Sequence, residues 1–289
     1  MDRAARMEEY RDQGSEIASD CLMGTLFFEP STRTRLSFQA AMNRLGGDSI
    51  GFSSVEGTSI QKGETLADTV RVIEQYVDLM VLRHPGEGAA KLASNLVEVP
   101  VINAGDGGAN HPSQTLLDLY TIRKQLGSID GNTITLAGDL RYSRTTRSLS
   151  RALAQFDVNI ILFAPEQLTM RNDLLLELEE LGIETREVAE LEPALREADL
   201  VYATRIQKER FPDLAEYQKV VQSYRIDREL LERAGNPLLL HPLPRVDEIA
   251  PEVDDLNNAI YFDQAGNGVP VRMALISLLL DLSGEEMHS

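Results

Sequence analysis

Short apolar runs of β character alternate with amphipathic helical stretches along this whole chain, and no other feature restricts its fold so tightly. The runs fall at 22–28, 50–53, 77–82 and 100–103, then at 133–137, 159–163, 184–188, 200–203 and 237–240. Between them apolar residues recur at helical spacing over 65–76, 88–96 and 112–126. Such alternation implies parallel sheets with helices on both faces. A glycine-flanked polar stretch at 127–131 is the best linker. The expected architecture is α/β: two doubly wound parallel-sheet domains with the active site in the cleft between them. Residues 1–127 form the first and 128–267 the second, with a C-terminal helix within 268–289 packing back on the first. In doubly wound sheets ligands lie beyond the carboxyl ends of the strands, so chemistry is sought there.

Bulk properties narrow the partners. No apolar run among the 289 residues approaches the ~20 needed to cross a bilayer. The start, Met1-Asp2-Arg3-Ala4-Ala5-Arg6, is charged and unlike a secretory leader. One cysteine, Cys21, excludes an internal disulfide and fits a reducing cytoplasm, so a cytoplasmic location is expected. A formal charge of −18 argues against non-specific binding to nucleic acid or anionic membrane. Many of the 28 basic residues fall in short motifs, which suggests a cationic pocket inside an acidic shell. Such a pocket suits small anionic substrates.

The strongest of these motifs is Phe28-Glu29-Pro30-Ser31-Thr32-Arg33-Thr34-Arg35. Pro30 ends the first apolar run, and from Arg33 the residues Leu36, Phe38, Ala41, Met42 and Leu45 have helical spacing, closed by Gly46-Gly47. Ser31 and Thr32 therefore sit where a strand hands over to a helix, whose free N–H groups and dipole favour an anion. Two hydroxyls and two arginines add donors. An ordinary capped helix is the competing interpretation, but arginine in a first turn opposes the dipole.

Other strand ends carry similar chemistry. Thr58, Ser59 and Gly63 surround Lys62 in a polar loop that lets a lysine reach an anion. Arg83-His84-Pro85 follows the run 77–82, with Arg83 placed to point into a ligand crevice in preference to a surface ion pair and His84 more in keeping with a structural role. His111-Pro112-Ser113-Gln114 opens the long helix, where a histidine can polarise a carbonyl or move a proton and the Gln amide carbonyl can accept from an NH2 group. Arg141, Arg144 and Arg147 crowd the helix start after Gly138-Asp139. Arg205 and Gln207 alternate in Thr204–Arg210, and His241-Pro242-Leu243-Pro244-Arg245 offers backbone carbonyls beside prolines that lack N–H donors. No G-x-G-x-x-G, Walker A loop, H-E-x-x-H, G-x-S-x-G or cysteine metal spacing occurs. A dinucleotide enzyme, P-loop enzyme, metalloenzyme or serine hydrolase is therefore unsupported.

Taken in order, S-T-R-T-R, S-x-x-K-G-E, R-H-P, H-P-x-Q, G-D-L-x-Y-x-R-T, T-R-x-Q-x-E-R, H-P-L-P-R and A-G-N-G at 265–268 resemble aspartate carbamoyltransferase catalytic chains. The resemblance runs from about Leu26 to Leu280. It implies carbamoyl transfer from carbamoyl phosphate to L-aspartate, an early step of pyrimidine synthesis, without metal or organic cofactor. It assigns Ser31, Thr32, Arg33, Thr34 and Arg83 to the phosphate, and Thr34, Arg83 and His111 to the carbamoyl oxygen. Gln114 and the backbone around Pro242, Leu243 and Pro244 would hold the carbamoyl NH2. Arg144 would bind the α-carboxylate of aspartate, Arg205 with Gln207 the β-carboxylate, and Lys62 would assist. Ser59 and Lys62 would come from a neighbouring subunit of a homotrimer, to which a regulatory chain is a further possible partner. Two departures stand out: few residues precede Cys21 where the family has a further helical segment, and the loop around Lys62 is compact. Ornithine carbamoyltransferase, the nearest alternative, would carry cysteine at Pro242 and an S-M-G loop. A non-catalytic scaffold would be expected to have lost some of Arg33, Lys62, Arg83, His111 or Arg205.

Overall fold

The computed structural model describes residues 1–108, 110–208, 211 and 213–282. The chain runs α1 (Asp2–Gln13), β1 (Leu22–Phe27), α2 (Thr32–Arg44), β2 (Asp48–Phe52), a 3-10 turn (Ser59–Lys62), α3 (Leu66–Glu74), β3 (Leu79–His84), α4 (Ala89–Ser94), β4 (Val101–Asp106) and α5 (Pro112–Leu126). It continues with β5 (Thr133–Ala137), α6 (Arg144–Leu153), β6 (Asn159–Phe163), α7 (Asn172–Glu180), β7 (Thr185–Val188), α8 (Leu191–Arg196) and β8 (Leu200–Ala203). Then come α9 (Leu214–Ser223), α10 (Arg228–Arg233), β9 (Leu238–Leu240) and α11 (Tyr261–Leu279). Two compact units result, one of Met1–Tyr120 with Asn267–Ser289, the other Thr121–Gly266.

The first unit holds a parallel sheet in the order β2-β1-β3-β4. Successive strand side chains point to opposite faces, and both faces are covered. Met23 and Phe27 of β1, with Leu79, Val81, Ile102 and Ala104, pack against buried residues of α1, α2, α5 and α11. Leu26, Met80 and Leu82 pack the other way, on Val70 of α3 and Ala90 and Ala93 of α4. Each fully buried Leu, Met or Phe contributes ~1.5–3 kcal/mol, and double-sided burial explains why these strands are almost continuously apolar. Arg3 of α1 ties the chain's two ends together through Ser277 Oγ (2.9 Å) and the Leu282 carbonyl (2.6 Å).

The second unit holds a parallel sheet in the order β7-β6-β5-β8-β9. Ala137, Ile161, Phe163, Val201, Ala203 and Leu239 form one core with α8, α9 and α10. The alternate residues Ile134, Leu136, Ile160, Leu162, Leu200 and Tyr202 are buried too, as are Leu149 and Leu153 of α6. Ser143 caps α6 by accepting from Thr146 N at 3.3 Å.

Several elements depart from the sequence-based bounds, and three of the departures bear on the site or its surroundings. β3 extends through Arg83 and His84, which lie within the strand instead of after it, and β4 continues to Asp106. Parallel neighbours carry these polar ends beyond the apolar run. The last helix starts at Tyr261, seven residues before the expected stretch 268–289, and contains Gly266, Gly268 and Pro270. Residues 283–289 of the expected C-terminal helix lie outside the described residues. No helix among the described residues is long and apolar enough to cross a membrane.

Candidate active site

In each sheet the strand order reverses once, and the two reversals organise the site residues. In the first unit the chain steps outward from β1 to β2, then returns to β3 and β4, so the reversal lies between β1 and β3. That junction leaves a crevice beyond the strand ends. The segment after β1 turns through Phe28–Pro30 and reaches Ser31, the N-cap of α2, whose side chain makes no capping bond (φ −157°, ψ 99°). Thr32 and Arg33 are exposed, while Thr34 is buried. Helix geometry leaves the first N–H groups of α2 without intrahelical acceptors, so this end presents donors and a positive dipole to an anion. Desolvation by the surrounding chain pulls the Arg33 guanidinium below its ordinary value, and it stays charged near neutrality.

Arg83 is drawn beside that segment by the sheet. It pairs in register with Phe27, and its carbonyl accepts from Phe28 N at 2.8 Å. Its side chain, 12% exposed, forms an ion pair with Glu29 at 2.7 Å. Arg35 is directed elsewhere: Nη1 reaches Gln39 Oε1, 3.4 Å away along α2. His84 accepts from Gly86 N through Nδ1 (2.9 Å) and packs against Phe28, the rings tilted by 59° with 4.8 Å between centroids. Burial lowers its pKa despite Glu29. Those contacts describe a structural ring.

His111 ends the turn after β4 and opens α5. Its carbonyl accepts from Gln114 N (3.0 Å) and Thr115 N (3.1 Å), and the residue is 5% exposed. Gln114, one turn on and half-buried, donates Nε2 to Asp118 Oδ1 at 2.8 Å. Because an ionised carboxylate only accepts, this bond turns the Gln114 carbonyl oxygen away from Asp118. Ser59 and Lys62 stand apart, exposed on a 3-10 turn that ends at Gly63 (φ 96°).

In the second unit the reversal lies between β5 and β8, and again both flanking ends carry arginine. Arg144 is the first residue of α6, after β5, and is half-buried. Arg141 is exposed instead, 5.8 Å from the Tyr142 ring. Arg205 follows β8 and is half-buried, as is Gln207. Asp139, fully buried, binds the two loops: it accepts from Tyr142 N (2.9 Å) and from Gln207 Nε2 (3.1 Å), and its own N–H donates to Thr204 Oγ1 (3.0 Å). Gly138, at φ +109°, makes the approach possible, since a Cβ there would lie 2.3 Å from the Thr204 carbonyl. Glu209 and Arg210, which close the T-R-x-Q-x-E-R motif, lie outside the described residues.

After β9 the segment 241–245 is shaped from below. His241 Nε2 lies 2.8 Å from Glu248 Oε1, both side chains being buried, and His241 Nδ1 accepts from Leu243 N at 2.9 Å. An accepting Nδ1 places the proton on Nε2, so the neutral ring donates to Glu248. Burial pushes the Glu248 carboxyl up, but the bond from His241 and backbone amides carry it below its ordinary value. Leu243 takes φ 56° before Pro244. Arg245 is bound by Asp254 and the Tyr261 hydroxyl.

The residues that sequence reasoning passed over are the acids behind the site: Glu29, Asp118, Asp139 and Glu248. Their usable signals were slight, an i,i+4 spacing from Gln114 and an acid directly after a strand-end glycine. Among the described residues no group of three His, Cys, Asp or Glu is placed to hold a metal.

Comparison with known proteins follows the same two-part division. Residues 1–124 match the family described as "Aspartate/ornithine carbamoyltransferase, carbamoyl-P binding domain", and 130–279 match "Aspartate/ornithine carbamoyltransferase, Asp/Orn binding domain". An aspartate carbamoyltransferase catalytic subunit from Thermococcus gammatolerans is 58% identical, over 94% of this chain and 89% of its own length. The solved catalytic subunit of M. jannaschii aspartate transcarbamoylase superposes with a TM-score of 0.92 at 48% identity, covering 97% of this chain and 92% of that one. Aspartate transcarbamoylase from Trypanosoma cruzi, solved with carbamoyl phosphate and aspartate, gives 0.87 at 37% identity, covering 94% and 88%.

Proposed function

This chain belongs to the aspartate/ornithine carbamoyltransferase family, and on that footing we propose that it transfers the carbamoyl group of carbamoyl phosphate to the amine of L-aspartate. The products are N-carbamoyl-L-aspartate and phosphate, in a step that feeds pyrimidine synthesis in the cytoplasm. The observation that carries the choice of acceptor is the pair of half-buried arginines, Arg144 and Arg205, flanking the strand-order reversal of the second sheet. A dicarboxylate needs two such cations. Ornithine, with its cationic side chain, would meet Arg205 as a like charge.

The residue roles proposed are those the family resemblance implies, and the chemistry of each group supports them. The end of α2, with Ser31, Thr32, Arg33 and Thr34, holds the phosphate, and Arg83 adds a charge-assisted bond. When the aspartate amine attacks the carbonyl carbon, negative charge grows on the carbamoyl oxygen. Thr34, Arg83 and His111 donate to it, each such donor contributing ~3–4 kcal/mol in comparable sites. Phosphate then departs with the electrons of the C–O bond and accepts the amine proton. Gln114 and the carbonyls of Pro242 and Leu243, beside Pro244, hold the carbamoyl NH2. Arg144 holds the α-carboxylate, and Arg205 with Gln207 the β-carboxylate. Ser59 and Lys62, exposed on their turn, complete the site of a neighbouring copy in a homotrimer. Binding both substrates together supplies the proximity that a bimolecular reaction in water lacks.

Purified chain should form carbamoyl aspartate from the two substrates and give no product with ornithine. Arg33→Ala should abolish carbamoyl phosphate binding, and Arg205→Ala should raise KM for aspartate while sparing carbamoyl phosphate. Folded protein without activity on aspartate would refute the reaction; exchanged phenotypes would refute the roles.

A further inference from the structure

Gln114 is joined to a buried charge one turn along its own helix. Its Nε2 donates to Asp118 Oδ1 at 2.8 Å, and the Asp118 residue has no solvent exposure. An uncompensated buried carboxylate is costly, and Arg272 on α11 is one cation that interacts electrostatically with Asp118. Arg272 is itself 3% exposed. It donates Nη1 to Ser37 Oγ at 2.6 Å and lies 4.9 Å from the Phe38 ring centroid, so α2 grips it too. Burial brings its pKa down to about 10, against the opposing pull of Asp118, and the group remains charged at neutral pH. The space it occupies exists because residue 268 is glycine: a Cβ there would fall 2.2 Å from Arg272 Nη1. This gives the last glycine of the A-G-N-G motif a physical purpose that neither the fold nor the substrate contacts explain.

We propose that Asp118 is a positioning residue that fixes which end of the Gln114 amide meets the substrate. This rests on Gln114 being the acceptor for the carbamoyl NH2. A carboxylate only accepts, so it holds the Gln114 NH2 and leaves the carbonyl oxygen for the ligand. An amide at position 118 would accept or donate equally well, and Gln114 would then present either end. Asp118 therefore sets preference for an NH2 group over a methyl of the same size.

The test uses two stable ligands, phosphonoacetamide and acetonylphosphonate, which differ only in NH2 against CH3. Dissociation constants are measured by calorimetry on the assembled protein. Wild type should favour the amide ligand. Asp118→Asn should reduce that preference about tenfold, the worth of one ordinary hydrogen bond, and leave acetonylphosphonate within about twofold. Equal weakening of both ligands, or an unchanged preference, would overturn the proposal. Gln114→Ala separates the premise from the inference. If it leaves the preference intact, the role given to Gln114 fails; if it removes the preference and Asp118→Asn does not, only the positioning role fails. Should Asp118→Asn not fold, Asp118→Ser serves, because a hydroxyl can donate as well as accept and the acceptor-only group is gone. Loss of preference again supports the proposal, and full retention overturns it.

Discussion

Replacing Glu248 by glutamine removes one charge and one acceptor from beneath the 241–245 segment while keeping its shape. The carboxylate, 5% exposed, now serves three donors: His241 Nε2 at 2.8 Å, Val246 N at 3.1 Å and Asp247 N at 3.1 Å. The amide retains a single oxygen, so either the imidazole N–H or the two backbone N–H groups must face an NH2. One or two buried donors left unmet cost ~1–3 kcal/mol each, about 3 kcal/mol together because Val246 and Asp247 lie close to water. At ~2–4 °C per kcal/mol for chains of this size, Tm should fall by about 6–12 °C at pH 7. The pH dependence is diagnostic. The folded carboxyl titrates below its ordinary value, so its stabilisation is complete above the unfolded pKa of ~4.3 and is lost as pH falls through the folded pKa. Melting curves recorded by circular dichroism across pH should thus show wild type and variant converging in acid, where a protonated Glu248 is no better an acceptor than glutamine. A Tm difference below 1 °C at pH 7, or one that persists unchanged in acid, would refute the reasoning.

Gly138→Ala should prevent soluble expression or lower Tm by more than 10 °C, since strain at φ +109° alone is worth ~1–3 kcal/mol and the methyl also meets the Thr204 carbonyl. Asp139→Asn should raise KM for aspartate roughly tenfold with little change for carbamoyl phosphate, because Gln207 loses the acceptor that sets its amide. Arg151→Ala should cost under ~1 kcal/mol in urea denaturation: its bidentate pair with Glu177 is short (2.7 Å for both bonds), yet both side chains are 39% exposed.

How much of this was legible in the sequence depended on whether a residue's neighbours are local. β5, β6 and β8 have the bounds expected, since strands buried on both faces are written as mostly apolar runs with few polar residues. α5 likewise runs from Pro112, which suits a first turn, to Leu126 before Gly127. α11 was foreshortened because Gly266, Gly268 and Pro270 count as breakers in a sequence window, whereas packing in the first unit, around Arg272, overrides that penalty. The strand-end arginines could be picked out by position, as each follows or closes an apolar run. Asp118, Asp139 and Glu248 could not: an acid in sequence looks solvated, and only the fold reveals that each is enclosed with a donor it orients.

The first unit is discontinuous, and that imposes an order of assembly during translation. Its core requires Val271, Met273, Ala274 and Ile276, which emerge from the ribosome after the whole of Thr121–Gly266. At ~5–20 residues per second the amino-terminal segment waits on the order of ten seconds or more for its closing helix. The second unit, continuous in sequence, has its full complement of residues sooner. Met23, Phe27, Phe38 and Met42 meanwhile lack part of their cover, which makes the nascent amino-terminal half the stage at which this chain most needs a chaperone's protection.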